Sequence, residues 1–502
     1  MNKAQIRINR AFTVSAIDPR LFGSFVEHMG RVVYTGIYEK DHPTADADGF
    51  RQDVLQLTRE MGVTAVRYPG GNFVSGYSWT DGIGPREQRP KRRSLAWKSI
   101  ETNEIGIDEF MVWARKAGVE PVLAVNLGTK GIEEAVNFLE YCNGEPGTLY
   151  SDLRAQNATP QPYGVRTWCL GNEMDGDWQI GHKTAGEYGR LAHETGKAMK
   201  IIDPSVQLVV CGSSLSTNAT VGEWDRTVMR HCFGEADFIS LHQYYGGQEK
   251  GTAAFLAQSL DLENYIRMAA HVCDVEGFMR RDPKKVMIAL DEWGVWSTPA
   301  SEVEAETRRE RWQYAPRIGE QIYTMEDSLL FASMLLAMIR AADRVKLACQ
   351  SLLTNVSACI MTEPGGGVWV QPIYYVFALA ARLGGGVVLQ EAAEEDTYAV
   401  ETFSQVPYVD HVSVWDEAKG ELSLLLVNRG ESAAEVTYSL EGPEAAGVLE
   451  STVLTADDRK ATNAEDHERI RPAHIDNVKI EGSRITCELL PLSFQMVRIS
   501  LR

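Results

Sequence analysis

Eight short apolar runs alternate with helix-like segments between residues 18 and 383, and this alternation constrains the fold more than any other feature. Several runs are apolar almost throughout, as strands are when both faces of a parallel sheet are covered. Repeated strand–helix units of this kind predict a (β/α)₈ barrel. The rival is a doubly wound open sheet, which usually has fewer strands, and no Gly-x-Gly-x-x-Gly or P-loop motif follows the first run. The predicted strands are residues 21–27, 63–68, 121–126, 165–171, 207–211, 238–242, 286–290 and 345–352.

Helical periodicity fills several of the intervals between these strands, as a barrel requires. The predicted helices are residues 50–61, 107–117, 132–141, 183–202, 253–275 and 327–342. The most apolar run, residues 328–339, is too short to span a bilayer and is predicted to be a buried helix.

The pattern changes at the three glycines 384–386. Beyond them, short runs separated by turn residues predict an all-β, jelly-roll-like sandwich of about a hundred residues. The alternating strand near the N-terminus has no helix after it, so we expect it to join this sandwich. The predicted domains are therefore a barrel at 18–383 and a sandwich built from 1–17 plus 384–502. Residues 457–471 are strongly charged, which predicts a surface loop.

Charge and composition exclude several classes of partner. The formal net charge is −19 at pH 7, which argues against nucleic acid and against anionic membranes. The N-terminus lacks the apolar segment of a signal peptide. The eight cysteines are spread out with no C-x-x-C pair, and several lie in apolar runs, so we expect free thiols in a reducing cytoplasm.

Two of the predicted strands end abruptly in a glutamate. Gly171-Asn172-Glu173 follows the fourth strand, and Asp291-Glu292-Trp293 follows the seventh. Active sites of (β/α)₈ barrels lie at the carboxyl ends of the strands. Two carboxylates are also what the cleavage of a glycosidic bond requires.

Other strand ends and loops add amides, aromatic rings and histidines, a mixture that suits sugar binding, because polar groups pair with hydroxyls and aromatic faces stack on C–H faces. One glutamate after a strand more often caps the next helix, but so many polar strand ends together favour a site. We expect His28 and His242 to orient the glutamates rather than bind a metal, since no His-x-His or His-Glu-x-x-His motif is present. Trp168, in mid-strand, is expected in the core. A serine nucleophile lacks its Gly-x-Ser-x-Gly motif.

Seven stretches in combination closely resemble the α-L-arabinofuranosidases of glycoside hydrolase family 51, and the likeness covers nearly the whole chain. The stretches are GSFVEH at 23–28, RYPGGNFVSGY at 67–77, AWKS at 96–99, NLGT at 126–129, GNEMDG at 171–176, SLHQYYG at 240–246 and DEW at 291–293.

The resemblance implies a retaining, exo-acting enzyme that releases terminal α-L-arabinofuranosyl residues from arabinan- or arabinoxylan-derived oligosaccharides. It implies Glu173 as the acid/base and Glu292 as the nucleophile. It further implies a cytoplasmic protein, often hexameric, that needs neither metal nor other cofactor. The substrate-binding residues that follow from the motifs are Glu27, Asn72, Asn172, Tyr244 and His242, with Trp97 and Trp296 as pocket walls.

A retaining mechanism requires the two carboxyls to lie ~5–5.5 Å apart, whereas inversion needs more than ~6.5 Å. Glu173 must start protonated, which burial and the charge of Glu292 would favour. After Glu292 becomes an ester, Glu173 can act as a base. The sandwich shows no aromatic stripe for polysaccharide and is expected to serve packing and assembly.

Two positions depart from the family pattern. Gly294 stands where the family has Asn, and Leu352 stands where it has a sugar-contacting Gln. Gln350 lies one step deeper on the same strand face, so we do not expect it to substitute. A hydrogen bond lost there is worth ~1 kcal/mol. The same chemistry on a β-D-xyloside, a β-D-galactofuranoside or a β-glucan therefore stays open. A non-catalytic carbohydrate-binding barrel and a metal-dependent barrel hydrolase are weaker alternatives.

Overall fold

Eight parallel strands close into a barrel, which confirms the predicted fold class. The computed structural model describes residues 1–442 and 444–502. The seventh strand pairs with the eighth, the eighth with the first, and the others follow in chain order. The barrel strands are Gly23–Phe25, Ala65–Tyr68, Glu120–Val125, Thr167–Leu170, Gln207–Cys211, Phe238–Tyr245, Met287–Val295 and Val345–Gln350.

The seventh strand is longer than predicted. It does not stop at Leu290, because Trp293 to Val295 pair with residues 243–245 of the sixth strand, which is also longer than predicted. The register shifts between Ala289 and Glu292, as it does at a β-bulge. Bulges bend a strand and redirect its side chains, and they are frequent beside active sites. The first strand is shorter than predicted, since Leu21 and Phe22 form a 3₁₀ turn.

Helices surround the barrel. The predicted helix at 253–275 is two helices, with the break at residues 257–258. Four short helices, at 149–157, 223–232, 300–309 and 372–381, were not predicted. The α-helices are Gln52–Met61, Ile107–Ala117, Ile132–Asn143, Leu149–Asn157, Ala185–Ile202, Glu223–Cys232, Thr252–Leu256, Ser259–Arg280, Ala300–Arg309, Met325–Arg340 and Pro372–Ala381.

The helix Met325–Arg340 is the buried helix that the apolar run predicts. Every residue from Met325 to Ile339 is buried. The helix contacts the seventh barrel strand, neighbouring helices of the barrel and three strands of the second domain. An all-round apolar helix is stable in water only when covered in this way. Among the described residues, no helix is both long and apolar enough to cross a membrane.

Ten strands form the second domain, and the N-terminal strand Asn2–Ala16 lies within it. This strand pairs antiparallel with Val387–Glu395 and parallel with Ala434–Glu441. The sheet folds over a core that includes Ile6, Leu424, Tyr438 and Ile499. The exact boundaries at 17/18 and 383/384 stay a prediction. The other strands are Val409–Asp416, Glu421–Asn428, Ala445–Leu454, Ala473–His474, Val478–Glu481, Arg484–Leu489 and Ser493–Leu501.

The charged segment 457–471 is more than a surface loop. Its charged side chains are mostly exposed, but Ala461, Asn463 and Ile470 are buried. The backbone carbonyl of Ala461 accepts a hydrogen bond from the Met325 amide at 3.0 Å. The surface-loop prediction is therefore wrong for these residues, which pack the sandwich against the barrel.

Candidate active site

A cavity of about 490 Å³ opens at the carboxyl ends of the barrel strands. Seven of the nine predicted site residues line it, and the other two, Asn172 and His242, are buried beneath it. The predicted residues that line the cavity are Glu27, Asn72, Trp97, Glu173, Tyr244, Glu292 and Trp296.

The carboxylate of Glu292 is held from two sides. Its Oε1 accepts a hydrogen bond from Arg67 Nη1 at 2.7 Å, and its Oε2 accepts one from the Tyr244 hydroxyl at 2.9 Å. Arg67 Nη2 also donates to Asn172 Oδ1 at 2.7 Å, so one guanidinium ties two predicted site residues together. The Tyr244 hydroxyl lies 2.8 Å from Ser351 Oγ. Both carboxylate oxygens of Glu292 are thus fixed before any ligand binds.

Glu173 follows the fourth strand in a left-handed backbone conformation with φ of 44°. A non-glycine residue in this region is strained by about 1–3 kcal/mol, and such strain is typical of functional sites. The carboxylate is then fixed by His242 Nδ1, 3.0 Å from Oε1, and by Trp178 Nε1, which donates to Oε2 at 2.6 Å.

The two glutamates lie close together. A carboxylate oxygen of Glu173, one of Glu292 and a ring nitrogen of His242 all lie within 4.8 Å of one another. Burial raises the pKa of Glu292; Glu173 adds to this, while His242 and Arg67 act in the opposite direction. The nearby Glu173 carboxylate thus makes ionisation of Glu292 less favourable.

His242 is a buried cation. Burial by itself lowers the pKa of this imidazole, but Glu292, Asp291 and Glu173 outweigh that effect and raise it to about 10. Its Nε2 lies 3.5 Å from Asp291 Oδ1, and its Nδ1 lies 3.5 Å from Glu292 Oε2. The three groups Glu173, His242 and Glu292 have the spacing of metal ligands, and within this cluster His242 Nδ1 lies 3.0 Å from Glu173 Oε1.

Glu27 follows the first barrel strand and lines the cavity. Its Oε1 accepts hydrogen bonds from the Phe73 amide and from Trp97 Nε1, both at 2.8 Å. Burial and the charge of Glu292 raise the pKa of Glu27 to about 7. Trp97 is therefore a hydrogen-bond donor to this carboxyl as well as a wall of the cavity.

The prediction for His28 is wrong. Its Nδ1 lies 2.8 Å from Glu101 Oε2, and its Nε2 lies 3.0 Å from the Tyr68 hydroxyl. It also stacks on Phe73. His28 therefore supports the loop behind Trp97 and does not contact Glu173 or Glu292 through these bonds.

Sequence reasoning gave no role to Arg67, Asp291, Trp178 or Ser351. Arg67 Nε lies 3.2 Å from Asp291 Oδ2, and both side chains are almost fully buried. The sequence did contain a signal for this ion pair: each of the two residues is a charged residue in an otherwise apolar strand. Such residues are rarely buried without a partner of opposite charge. Nothing in the sequence pattern marked Ser351, whose position depends on the path of the chain after the eighth strand.

Of the two positions that depart from the family pattern, Leu352 lines the cavity, and Gly294 lies next to Tyr244 and Ser351, which also line it. Gln350, by contrast, is buried and donates to the Ser357 carbonyl at 2.9 Å. Gln350 does not substitute for a polar group at 352, as predicted. A Cβ added at Gly294 would lie 3.5 Å from the Ser351 carbonyl oxygen and 3.9 Å from the Tyr244 ring. These are ordinary van der Waals distances, so a small side chain would fit at this position.

We predict that Glu292→Gln lowers the pKa of His242. Glu292 is the main partner that raises it, and loss of that negative charge should lower the value by at least about one pH unit. The imidazolium stabilises the fold below its unfolded pKa of ~6.5, and this contribution is lost as the pH rises through about 10. In Glu292→Gln, the stabilising contribution of the His242 imidazolium should begin to be lost at a lower pH than in the wild-type protein.

Imidazole ¹⁵N chemical shifts followed against pH measure this change. His411 in the sandwich is an internal control, because its pKa is also raised to about 10 but by Glu391, 2.7 Å away. An unchanged His242 titration, or an equal change at His411, would contradict the assignment.

Two family models match the chain. The α-L-arabinofuranosidase 1 domain matches residues 57–252, and the α-L-arabinofuranosidase C-terminal domain matches residues 291–493. The chain is 46% identical over 499 residues to the intracellular exo-α-(1→5)-L-arabinofuranosidase 1 of Bacillus subtilis, covering 99% of both chains. It is 44% identical to the intracellular exo-α-(1→5)-L-arabinofuranosidase of Acetivibrio thermocellus, covering 99% of this chain and all of the relative.

Solved structures agree with the sequence relatives. A family 51 α-L-arabinofuranosidase from Bifidobacterium longum superposes with a TM-score of 0.94 at 41% identity, over 99% of this chain and 100% of that chain. The α-L-arabinofuranosidase of Thermotoga maritima, in complex with arabinose, has a TM-score of 0.87 at 32% identity, over 99% of both chains. With its barrel, its paired glutamates and these full-length matches, the chain belongs to the α-L-arabinofuranosidases of glycoside hydrolase family 51.

Proposed function

We propose that this glycoside hydrolase releases terminal non-reducing α-L-arabinofuranosyl residues with net retention of configuration. The observation that carries the proposal is the pair of glutamates after the fourth and seventh strands, with carboxylate oxygens within 4.8 Å of each other. This closeness suits a retaining enzyme, since an inverting one must leave room for water between carboxyls ~6.5–9.5 Å apart.

In the first step Glu292 attacks the anomeric carbon while the bond from that carbon to the leaving oxygen breaks. Glu173 gives its proton to the leaving oxygen. Arg67 and Tyr244 fix the attacking carboxylate, and Asn172, on the same guanidinium, faces the hydroxyl next to the anomeric carbon. Holding the nucleophile in this way supplies part of the rate as preorganisation.

In the second step Glu173 takes a proton from water, and the oxygen of that water displaces Glu292 from the anomeric carbon. Glu292 is neutral as an ester, so the repulsion that disfavoured a second carboxylate is gone. The imidazolium of His242, 3.0 Å from Glu173, then stabilises the ionised form that acts as the base.

The relatives from Bacillus subtilis and Acetivibrio thermocellus are named for α-(1→5)-linked arabinofuranosides, which supports oligosaccharides of that linkage as substrates here. The cavity is lined by Glu27, Trp97 and Trp296. Such walls suit one terminal sugar. The alternative sugars rest only on Leu352 and Gly294, and the named relatives do not favour them.

We also propose a cytoplasmic, homo-oligomeric protein, hexameric by resemblance. Relatives named intracellular and eight buried free cysteines support the location. Exposed apolar side chains on one helix, at Val275, Phe278 and Met279, support self-association. Light scattering of the purified protein measures the assembly, and a monomer would overturn that part.

A panel of 4-nitrophenyl glycosides tests the function. The α-L-arabinofuranoside should exceed the β-D-xyloside, β-D-galactofuranoside and β-D-glucoside by about 10²-fold or more in kcat/KM. Proton NMR of the first product should show the α anomer. A different preferred sugar would mean that Leu352 and Gly294 have changed the glycone, the β anomer would mean inversion, and no turnover of any glycoside would favour a binding protein.

Glu173→Ala should separate substrates by their leaving groups. We expect kcat/KM on an α-(1→5)-linked arabinobiose to fall by about 10³-fold, because its alkoxide must be protonated as it leaves, while kcat/KM on the 4-nitrophenyl α-L-arabinofuranoside falls by about tenfold or less. The parameter to compare is kcat/KM, since it excludes the second step, which is common to both substrates. Steady-state kinetics on both substrates measure the difference. Equal losses would argue against an acid role for Glu173.

Gly71→Ala should damage catalysis without unfolding the protein. A Cβ at this position would clash with Glu292 Oε1, so the carboxylate must move. We expect kcat/KM to fall by about 10²-fold, since small misplacements of reacting groups have effects of that size. The matched control is Gly186→Ala, where an added Cβ meets no atom within 4 Å. Similar kinetics for the two variants would contradict the prediction.

A further inference from the structure

The loop after the sixth barrel strand forms the rim of the catalytic cavity beside the acid. Gly246 to Glu249 line the cavity, as does Leu215 from the loop after the fifth strand. Strands four, five and six are consecutive around the barrel, so these two loops lie next to Glu173. Glu27, Asn72 and Trp97 come from the loops after strands one and two. The rim at 246–249 is therefore on the side where the leaving group departs.

This rim is anchored to the start of the buried helix Met325–Arg340. Gln248 Nε2 donates to Asp327 Oδ1 at 2.9 Å, and the Thr252 hydroxyl donates to Glu326. Asp327 and Glu326 are both 1% exposed. A buried carboxylate needs partners, because leaving it unpaired is costly. The two carboxylates therefore fix the loop only as long as they are themselves satisfied.

The sandwich domain supplies the positive charge that pairs with the buried Glu326 carboxylate. Lys460 forms an ion pair with Glu326, and the Arg459 Nε lies 3.6 Å from the same carboxylate. The Glu326 amide donates to the Arg459 carbonyl at 2.9 Å, and the Met325 amide donates to that of Ala461 at 3.0 Å. The segment that carries these groups is the charged stretch 457–471.

Two further contacts join the sandwich to the chain just after the rim. The Tyr398 hydroxyl donates to the Ala253 carbonyl at 3.1 Å, and Arg429 Nη2 donates to Ser259 Oγ at 2.7 Å. The second domain therefore holds Ala253 and Ser259 directly, and Lys460 holds Thr252 indirectly through Glu326. A domain that served only packing would not need to converge on the loop of the active-site rim.

We propose that the sandwich is a positioning element for the leaving-group side of the catalytic cavity, with Lys460 and Glu326 as positioning residues that act through Gln248 and Thr252. The inference rests on the proposed function, because it assigns part of that same site. Binding of sugars beyond the cleaved bond depends on this anchor. Binding of the terminal arabinofuranose, which faces Glu27 and Trp97, does not.

The test compares Lys460→Met with Arg471→Met. Arg471 lies in the same segment but pairs only with the exposed Glu468, at 3.0 Å, so it is a matched control. For an α-(1→5)-linked arabinotriose we expect KM to rise about fivefold in Lys460→Met with kcat within about twofold. Inhibition by free L-arabinose, which occupies only the inner position, should be unchanged. Lys460→Arg should restore the KM.

Glu326→Gln is the second variant, since it keeps an acceptor for Thr252 but loses the charge that Lys460 pairs with. It should give the same selective rise in KM. If both variants match Arg471→Met on the trisaccharide, or if inhibition by arabinose weakens in parallel with the KM change, the inference is overturned. If the wild-type protein hydrolyses no arabinofuranoside, the proposed function fails instead.

Discussion

The buried ion pair between Arg67 and Asp291 underlies the geometry of the site. Asp291 is fully buried, and the charges of Arg67 and His242 hold its pKa below the ordinary range in spite of that burial. Its carboxylate faces Arg67 on one side and His242 on the other. Removing one partner of such a pair would leave an uncompensated charge, which costs about 3–5 kcal/mol. Arg67 in turn contacts Glu292, while His242 contacts Glu173 and lies 3.5 Å from Glu292.

The bulge in the seventh strand makes this arrangement possible. In a regular strand, neighbouring side chains point to opposite faces. The register shift between Ala289 and Glu292 accompanies an arrangement in which Asp291 and Glu292 both contact Arg67. Glu173 approaches Glu292 in a different way, because Glu173 itself, two residues after Gly171, has a left-handed backbone conformation. Local irregularity at two strand ends thus brings the carboxylates of Glu173 and Glu292 within 4.8 Å of each other.

The helix Met325–Arg340 links this site to the second domain. It is buried by the barrel and by the sandwich, and its first turn holds the loop that carries Gln248. Its last residue, Arg340, pairs with Asp410 of the sandwich at 2.7 Å. Beyond its charged first turn this helix is almost entirely apolar, so it needs cover from several neighbours, and the sandwich supplies part of that cover.

The sequence by itself determined the barrel, the all-β second domain and the positions of Glu173 and Glu292. These follow from local patterns: buried parallel strands are apolar, and polar residues at their carboxyl ends share one edge. The roles of Arg67 and Asp291, the contact of His28 with Glu101 and the anchoring of residues 457–471 were decided only by the tertiary structure. They depend on which side chains meet across distant loops and on a shift in strand register, and neither leaves a periodic signal in the chain.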